Sequence, residues 1–250
     1  MKIIRLRCYI VCAAFGLAIG ATVTQARAEE PIEYDEAKLF LEENRTDGDL
    51  GLHFKVDGEG WKRLRLRGPD KHGRKRRSLF NILVQGNLGH VIGLTEIFSE
   101  SAEPSFDELP RDEFLSLFPE GEYCFFGKTS DGIRMKGVTT LSHTLPDGAE
   151  QVSPEEDEEV NADEDLVIVW ETVDDPAPPE DVVEFYEVVV EKDEDDELLR
   201  VFSVHMLPGD TTVRCPAEFL EAGKDYKVEI IVQSSSGNRT TMEVPFTTAD

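Results

Sequence analysis

Leu166-Val167-Ile168-Val169-Trp170 is the stretch on which the reading of this chain turns. Leu166, Ile168 and Trp170 recur with a period of two, which places them on one face of an extended strand and leaves Val167 and Val169 on the other. The same period returns at Tyr186, Val188 and Val190 within Phe185-Tyr186-Glu187-Val188-Val189-Val190. Lys192 to Glu197 reads as a charged turn, after which Leu199, Val201, Phe202 and Val204 resume strand character. Thr212-Val213-Arg214-Cys215 is a short strand with Val213 and Cys215 on its inner face. Phe219-Leu220 leads into Tyr226-Lys227-Val228-Glu229-Ile230, and Ser236-Gly237-Asn238 supplies turn chemistry before Val244-Pro245-Phe246-Thr247-Thr248. Short alternating strands separated by polar turns predict an all-β domain.

The order of these features resembles a fibronectin type III domain over about 95 residues, from near Val152 to Thr248. The resemblance implies a two-sheet sandwich with Trp170 buried. It also implies a tyrosine corner, because Leu220 stands six residues ahead of Tyr226, whose hydroxyl then bonds to backbone near Leu220 or Ala222. Domains of this kind position and bind partners more than they catalyse.

The preceding half is built from similar parts. Leu50, Leu52, Phe54 and Val56 alternate, and three Asp-Gly pairs, Asp47-Gly48, Asp57-Gly58 and Asp131-Gly132, predict tight hairpins because both residues tolerate positive φ. Pro110 opens a helical stretch in which Phe114, Leu115 and Phe118 share a face. Phe118-Pro119-Glu120-Gly121-Glu122-Tyr123, followed by Phe125 and a hairpin into residues 135–142, parallels the run from Leu220 to Phe246. This half resembles an immunoglobulin-like sandwich with a short inserted helix. The whole chain is also similar to exported bacterial proteins of unassigned function. Two tandem β-sandwiches, residues 29–148 and 149–250, are therefore expected after a leader of residues 1–28.

That leader has a basic start (Lys2, Arg5, Arg7), an apolar run from Cys8 to Ile19, and an Ala26-Arg27-Ala28 cleavage pattern. Its twelve-residue apolar run is shorter than the roughly 20 residues of a membrane span. The reading is an exported protein, periplasmic or extracellular, with no transmembrane segment in its mature form. Loss of four basic residues with the leader takes the formal charge from −26 to −30. Such charge argues against nucleic acid as a partner, favours a soluble monomer, and is spread unevenly. Residues 29–148 hold 23 acidic and 16 basic side chains, and residues 149–250 hold 29 and 6. The acidic segment from Gln151 to Asp165 reads as a solvated junction, with Pro154 an alternative start for the second domain's first strand. Cys124 and Cys215 are expected to stay unpaired, on separate cores or faces.

Against this acidic background one segment stands out. Lys62, Arg63, Arg65, Arg67, Lys71, Arg74, Lys75, Arg76 and Arg77 place nine cations within sixteen residues. Trp61, Leu64 and Leu66 suggest that its first part is a strand with one wet face, and Gly68 to Arg77 reads as a loop. The segment is a candidate patch for an anionic envelope polymer, a phospholipid surface or another protein. The acidic runs Glu155–Glu159, Asp163–Asp165 and Asp193–Glu197 lack the spacing and internal Gly of a calcium loop. The five His residues carry no second ligand at i+2 or i+4, and His53 and His205 read as outward-facing strand residues. Neither a Gly-x-Ser-x-Gly elbow nor a His-Glu-x-x-His pair is present, and no cofactor is implied. The sequence thus reads as a non-enzymatic exported binding module. A structural spacer of the envelope and an enzyme with a carboxylate site at the domain junction remain as alternatives.

Overall fold

The computed structural model describes residues 30–69, 75–194 and 197–249, so the expected leader of residues 1–28 lies outside the described residues. Pro31 onward forms one compact unit, within which the buried hydrophobic side chains gather into two cores.

The first core is wrapped by seven strands: β1 (Ile32–Glu33), β2 (Glu36–Asn44), β3 (Asp49–Pro69), β4 (Lys75–Leu83), β5 (Leu94–Glu100), β6 (Gly121–Thr129) and β7 (Arg134–Leu141). The twenty-one residues of β3 serve two layers. Its first part pairs with β2 on one side and β5 on the other, its second part with β4 and β6. Leu50, Leu52, Phe54 and Val56 enter the core from the first part, and Trp61, Leu64 and Leu66 from the second. The predicted alternation holds in both stretches, and the register shifts between them. Helix α1 (Arg111–Leu117) follows Pro110 as expected and sends Phe114 and Leu115 into the same core. Asp112 and Glu113 in its first turn suit the positive end of the helix dipole, and Arg111 ties it to Glu43 of β2 at 2.8 Å.

Asp47-Gly48 and Asp131-Gly132 turn hairpins with glycine φ of 68° and 104°, but Asp57-Gly58 does not. It sits inside β3, where the strand passes from one layer to the other. A side chain at Gly58 would press on the Tyr34 ring, and one at Gly60 would come within 2.6 Å of the Ile92 carbonyl oxygen. Here glycine serves close approach rather than reversal of the chain.

The second core lies between two sheets. One is β8 (Gln151–Ser153), β10 (Leu166–Trp170) and β13 (Thr212–Cys215); the other is β11 (Val183–Glu194), β12 (Glu197–Met206), β14 (Asp225–Ser234) and β15 (Arg239–Thr248), with β9 (Glu158–Val160) against β15. Three strands facing four, in the orders β8-β10-β13 and β12-β11-β14-β15, are the arrangement of a fibronectin type III sandwich. Trp170 and Tyr226 are both buried, and the Tyr226 hydroxyl accepts the Glu221 N–H at 2.8 Å, between the two expected positions. Tyr186 meets Trp170 edge-on, and Tyr226 stacks on Phe246. A related bond occurs in the first sandwich, where the Tyr123 hydroxyl donates to the Pro119 carbonyl at 2.8 Å.

Two expectations about charged segments change. The acidic run from Gln151 is no free junction, because β8 and β9 both lie in it and Ala149 is already in the second core. Lys192 is not in a turn: β11 carries it into the sheet, where it is buried and pairs with Glu194 at 3.1 Å and Glu221 at 2.9 Å.

The two sandwiches join edge to edge through three parallel pairs, Arg239 with Glu42, Thr240 with Glu43 and Thr241 with Asn44. Asn238, itself buried, fastens this seam. Its amide donates to the Ser142 and Thr144 carbonyls at 2.9 and 2.7 Å, and its oxygen accepts the Leu41 N–H at 2.9 Å. Thr240 adds a hydroxyl bond to the Pro146 carbonyl at 2.7 Å.

Candidate anion-binding face

The basic segment begins as strand. Leu64 and Leu66 point into the first core, so Arg63, Arg65 and Arg67 emerge together on the outer face of β3. Lys62 sits at a register shift and donates to the Ser130 carbonyl at 2.6 Å. The expected loop is shorter than read. Gly68 and Pro69 still belong to β3, and Lys75, Arg76 and Arg77 stand in β4, where Lys75 pairs with Pro69 and Arg77 with Gly68. The hairpin forms because the β3 ladder continues past Gly68, which lies against the Tyr123 ring, too close for any side chain. Lys71 and Arg74 lie outside the described residues.

Sheet register brings in cations that the local sequence does not group. Paired residues of antiparallel neighbours share a face. Arg63 pairs with Lys128 of β6, and Lys128 with Arg134 of β7. Arg65 pairs with Phe126, and Phe126 with Lys136. Arg67 pairs with Cys124, and Cys124 with Val138. Six basic residues therefore stand on one outer face of three adjacent strands, in rows about 5 Å apart across strands and about 7 Å apart along them. A shallow groove of about 310 Å³ runs between Arg63, Arg65 and Arg67 on one side and Phe126 and Lys128 on the other. The Arg67 guanidinium lies over the Phe126 ring at 5.8 Å. Among the described residues, no carboxylate is within ion-pair distance of Arg63, Arg65, Arg67, Lys128 or Lys136. Arg63 bonds Asn81 at 3.0 Å.

Lys128, Arg134 and Lys136 were missed because they flank an ordinary hairpin and their spacing carries no motif. Only the β3–β6–β7 register reveals them.

No family model matches the chain, and no curated protein is significantly similar to it. Among solved structures, it overlaps the chicken CNTN1 FN1-FN3 domains at 11% identity and a TM-score of 0.34, covering 87% of this chain and 65% of that one. It also overlaps the BSP domain of a biofilm associated protein at 11% identity and a TM-score of 0.24, covering 87% of this chain and 30% of that one. The fold assignment rests on strand order and the tyrosine bond above.

Elsewhere, the seam between sandwiches carries a groove of about 390 Å³ with Phe40, Phe98 and Phe185 in its walls. Its Glu36 is ion-paired to both Lys38 and Lys55 at 2.9 Å, which hold its carboxyl below the usual range. The most perturbed acid is Glu103, outside that groove. Burial, with Glu100 and Asp49 nearby, pushes its carboxyl up to about 7. It sits 3.2 Å from His53 Nε2. His53 corrects an expectation: it is on the outer side of β3 yet only 2% exposed, stacked on Phe40, close to Phe98 and capped by Glu103. Burial holds it below its ordinary pKa, and Nδ1 has no protein partner. His205 is exposed, as read, and stacks on Phe185. Cys215 is buried in the second core, and neither it nor Cys124 is in a disulfide. No cluster of His, Cys, Asp and Glu among the described residues is arranged to hold a metal.

Proposed function

We propose that this is an exported, non-enzymatic binding protein of two β-sandwich modules, residues 29–148 and 149–250, acting in the periplasm or outside the cell. Its binding surface is the outer face of β3, β6 and β7, and its ligand is polyanionic. The observation that carries this reading is the set of six cations brought into register on one face of a chain whose formal charge is −26. In such a chain the field favourable to an anion is concentrated at that face. Arginine on the central strand adds a planar fork that binds phosphate, sulfate or carboxylate through two hydrogen bonds.

The test is binding to a soluble polyanion, dextran sulfate, at low and high salt. Arg63→Ser, Arg65→Ser, Lys128→Ser and Lys136→Ser combined are expected to weaken binding about tenfold or more with little change in Tm, since exposed charges contribute little to folding. Binding by wild type should fade as the Debye length contracts below about 8 Å. Equal binding by wild type and the combined variant at low salt removes the reading. The rival, an envelope spacer, draws on the seam at β2–β15 and Asn238, which suits a part that holds distance, and it would then be preferred.

A further inference from the structure

We infer that the polyanion recognised by this face is the surface of an anionic phospholipid bilayer. The inference rests on the proposed reading of the face as anion-binding and adds the apolar side chains that stand among its cations. Phe126 occupies the middle of the face, between Arg65 and Lys136, and is 39% exposed. Leu83 pairs with Arg63 from the β4 side and Val138 ends the Arg67 row; these two are 57% and 47% exposed. Each cation row thus has an exposed apolar member. A soluble polyanion offers such side chains nothing to enter, and leaving Leu and Val in water beside it gains no contact. At a bilayer both classes are used: cations meet headgroup phosphates while aromatic and aliphatic side chains sink into the interfacial layer. The sheet presents the two classes from adjoining strands of one face, so they can engage together without rearrangement.

Phosphate is the chemistry the arginines would meet. Arg63, Arg65 and Arg67 project from alternate positions of one strand, each able to fork onto a phosphate. Val138 and Leu83 lie on opposite flanks, so the apolar contribution spans the face rather than forming a separate patch.

The purified protein is sedimented with phosphatidylglycerol-rich vesicles and with phosphatidylcholine vesicles, and its dextran sulfate binding is measured in parallel. Wild type is expected on the anionic vesicles alone. Leu83→Ser, Phe126→Ser and Val138→Ser combined should lose about tenfold in vesicle binding with dextran sulfate binding unchanged, whereas Arg65→Ser with Lys136→Ser should weaken both. Phe126→Trp provides a second measurement on a chain close to wild type: its added fluorescence should be quenched by brominated lipid in anionic vesicles. Vesicle binding untouched by the apolar substitutions, or no quenching in the tryptophan variant, overturns the lipid assignment. Dextran sulfate binding without vesicle binding also overturns it but leaves the proposed function standing. Binding to neither removes both.

Discussion

The outer faces of the two sandwiches handle charge in opposite ways. In the first, Arg63, Arg65, Arg67, Lys128 and Lys136 have no carboxylate within ion-pair distance among the described residues. In the second, Lys227 is set among Glu229, Glu243 and Glu191 at 2.7, 2.9 and 3.6 Å, and Arg200 reaches Glu191 and Glu187 at 3.4 and 3.5 Å. Burial works against the Lys227 charge, yet hydrogen bonds to Glu229 and Glu243 hold its pKa above the ordinary value. Val189, on the same outer side, is fully covered beneath this network. The half with 29 acidic and 6 basic residues spends its few outer-sheet cations on neutralising its own surface, whereas the half nearer to balance pairs Lys38, Lys55 and Arg111 but leaves Arg63, Arg65 and Lys128 open on the β3–β6 face. Overall charge therefore does not locate a binding surface; the pairing of individual side chains does.

That contrast can be broken most severely through the cores. Trp61→Ala and Trp170→Ala each empty a fully buried position and should cost about 3–5 kcal/mol. Because the sandwiches share a seam, calorimetry should show one transition lowered by either change. A transition that splits, leaving the untouched half at its original Tm, would show that each half folds alone. Asn238→Ala should cost about 2 kcal/mol and separate the transitions, since it removes the three hydrogen bonds by which the second half holds backbone groups of the first. Next comes the direct comparison of faces. Lys227→Met should cost about 1–2 kcal/mol by leaving carboxylates without their cation, while Lys128→Met should stay within about 0.5 kcal/mol; equal effects by urea unfolding would erase the distinction.

Tyr226→Phe and Tyr123→Phe should each cost about 1 kcal/mol, the net value of one such hydrogen bond. A large effect in only one would mean that the two tyrosine bonds are not equivalent. The smallest effect is the pH slope that Glu103 contributes in the first sandwich. Glu103 titrates near 7 in the folded protein against an ordinary 4.5, so the folded state holds its proton more tightly and stability falls as pH rises through that window. His53, held below its ordinary 6.5, gives the opposite slope up to that value. The fall should therefore be visible above about pH 6.5 and be reduced in Glu103→Gln, as read from Tm at successive pH values.

Much of this was legible in the sequence where a local rule decides the outcome. Leu50 to Val56 and Leu166 to Trp170 alternate because one face of each strand is dry, and Tyr226 could be placed because its bond partner is close along the chain. Asp57-Gly58 misled because its dipeptide chemistry is the same in a hairpin and in a strand that must let Tyr34 approach. His53 misled because alternation gives the side of the sheet but not what covers it; Phe40 comes from β2 and Glu103 from the segment that follows β5. Lys62 to Arg67 were visible as a cluster, whereas Lys128, Arg134 and Lys136 join them only through hydrogen-bond register, a non-local property.

The seam at β2 and β15 has a consequence for how the molecule travels. Two modules on a slack linker would average their charge over all orientations. Here residues 29–148 carry a net of −7 and residues 149–250 a net of −23, locked to one another by backbone pairing. The protein is then a permanent electric dipole that swings in the field of a charged surface as a needle does in a compass. It would arrive at a negative surface already turned, with the less acidic module foremost and the more acidic one trailing.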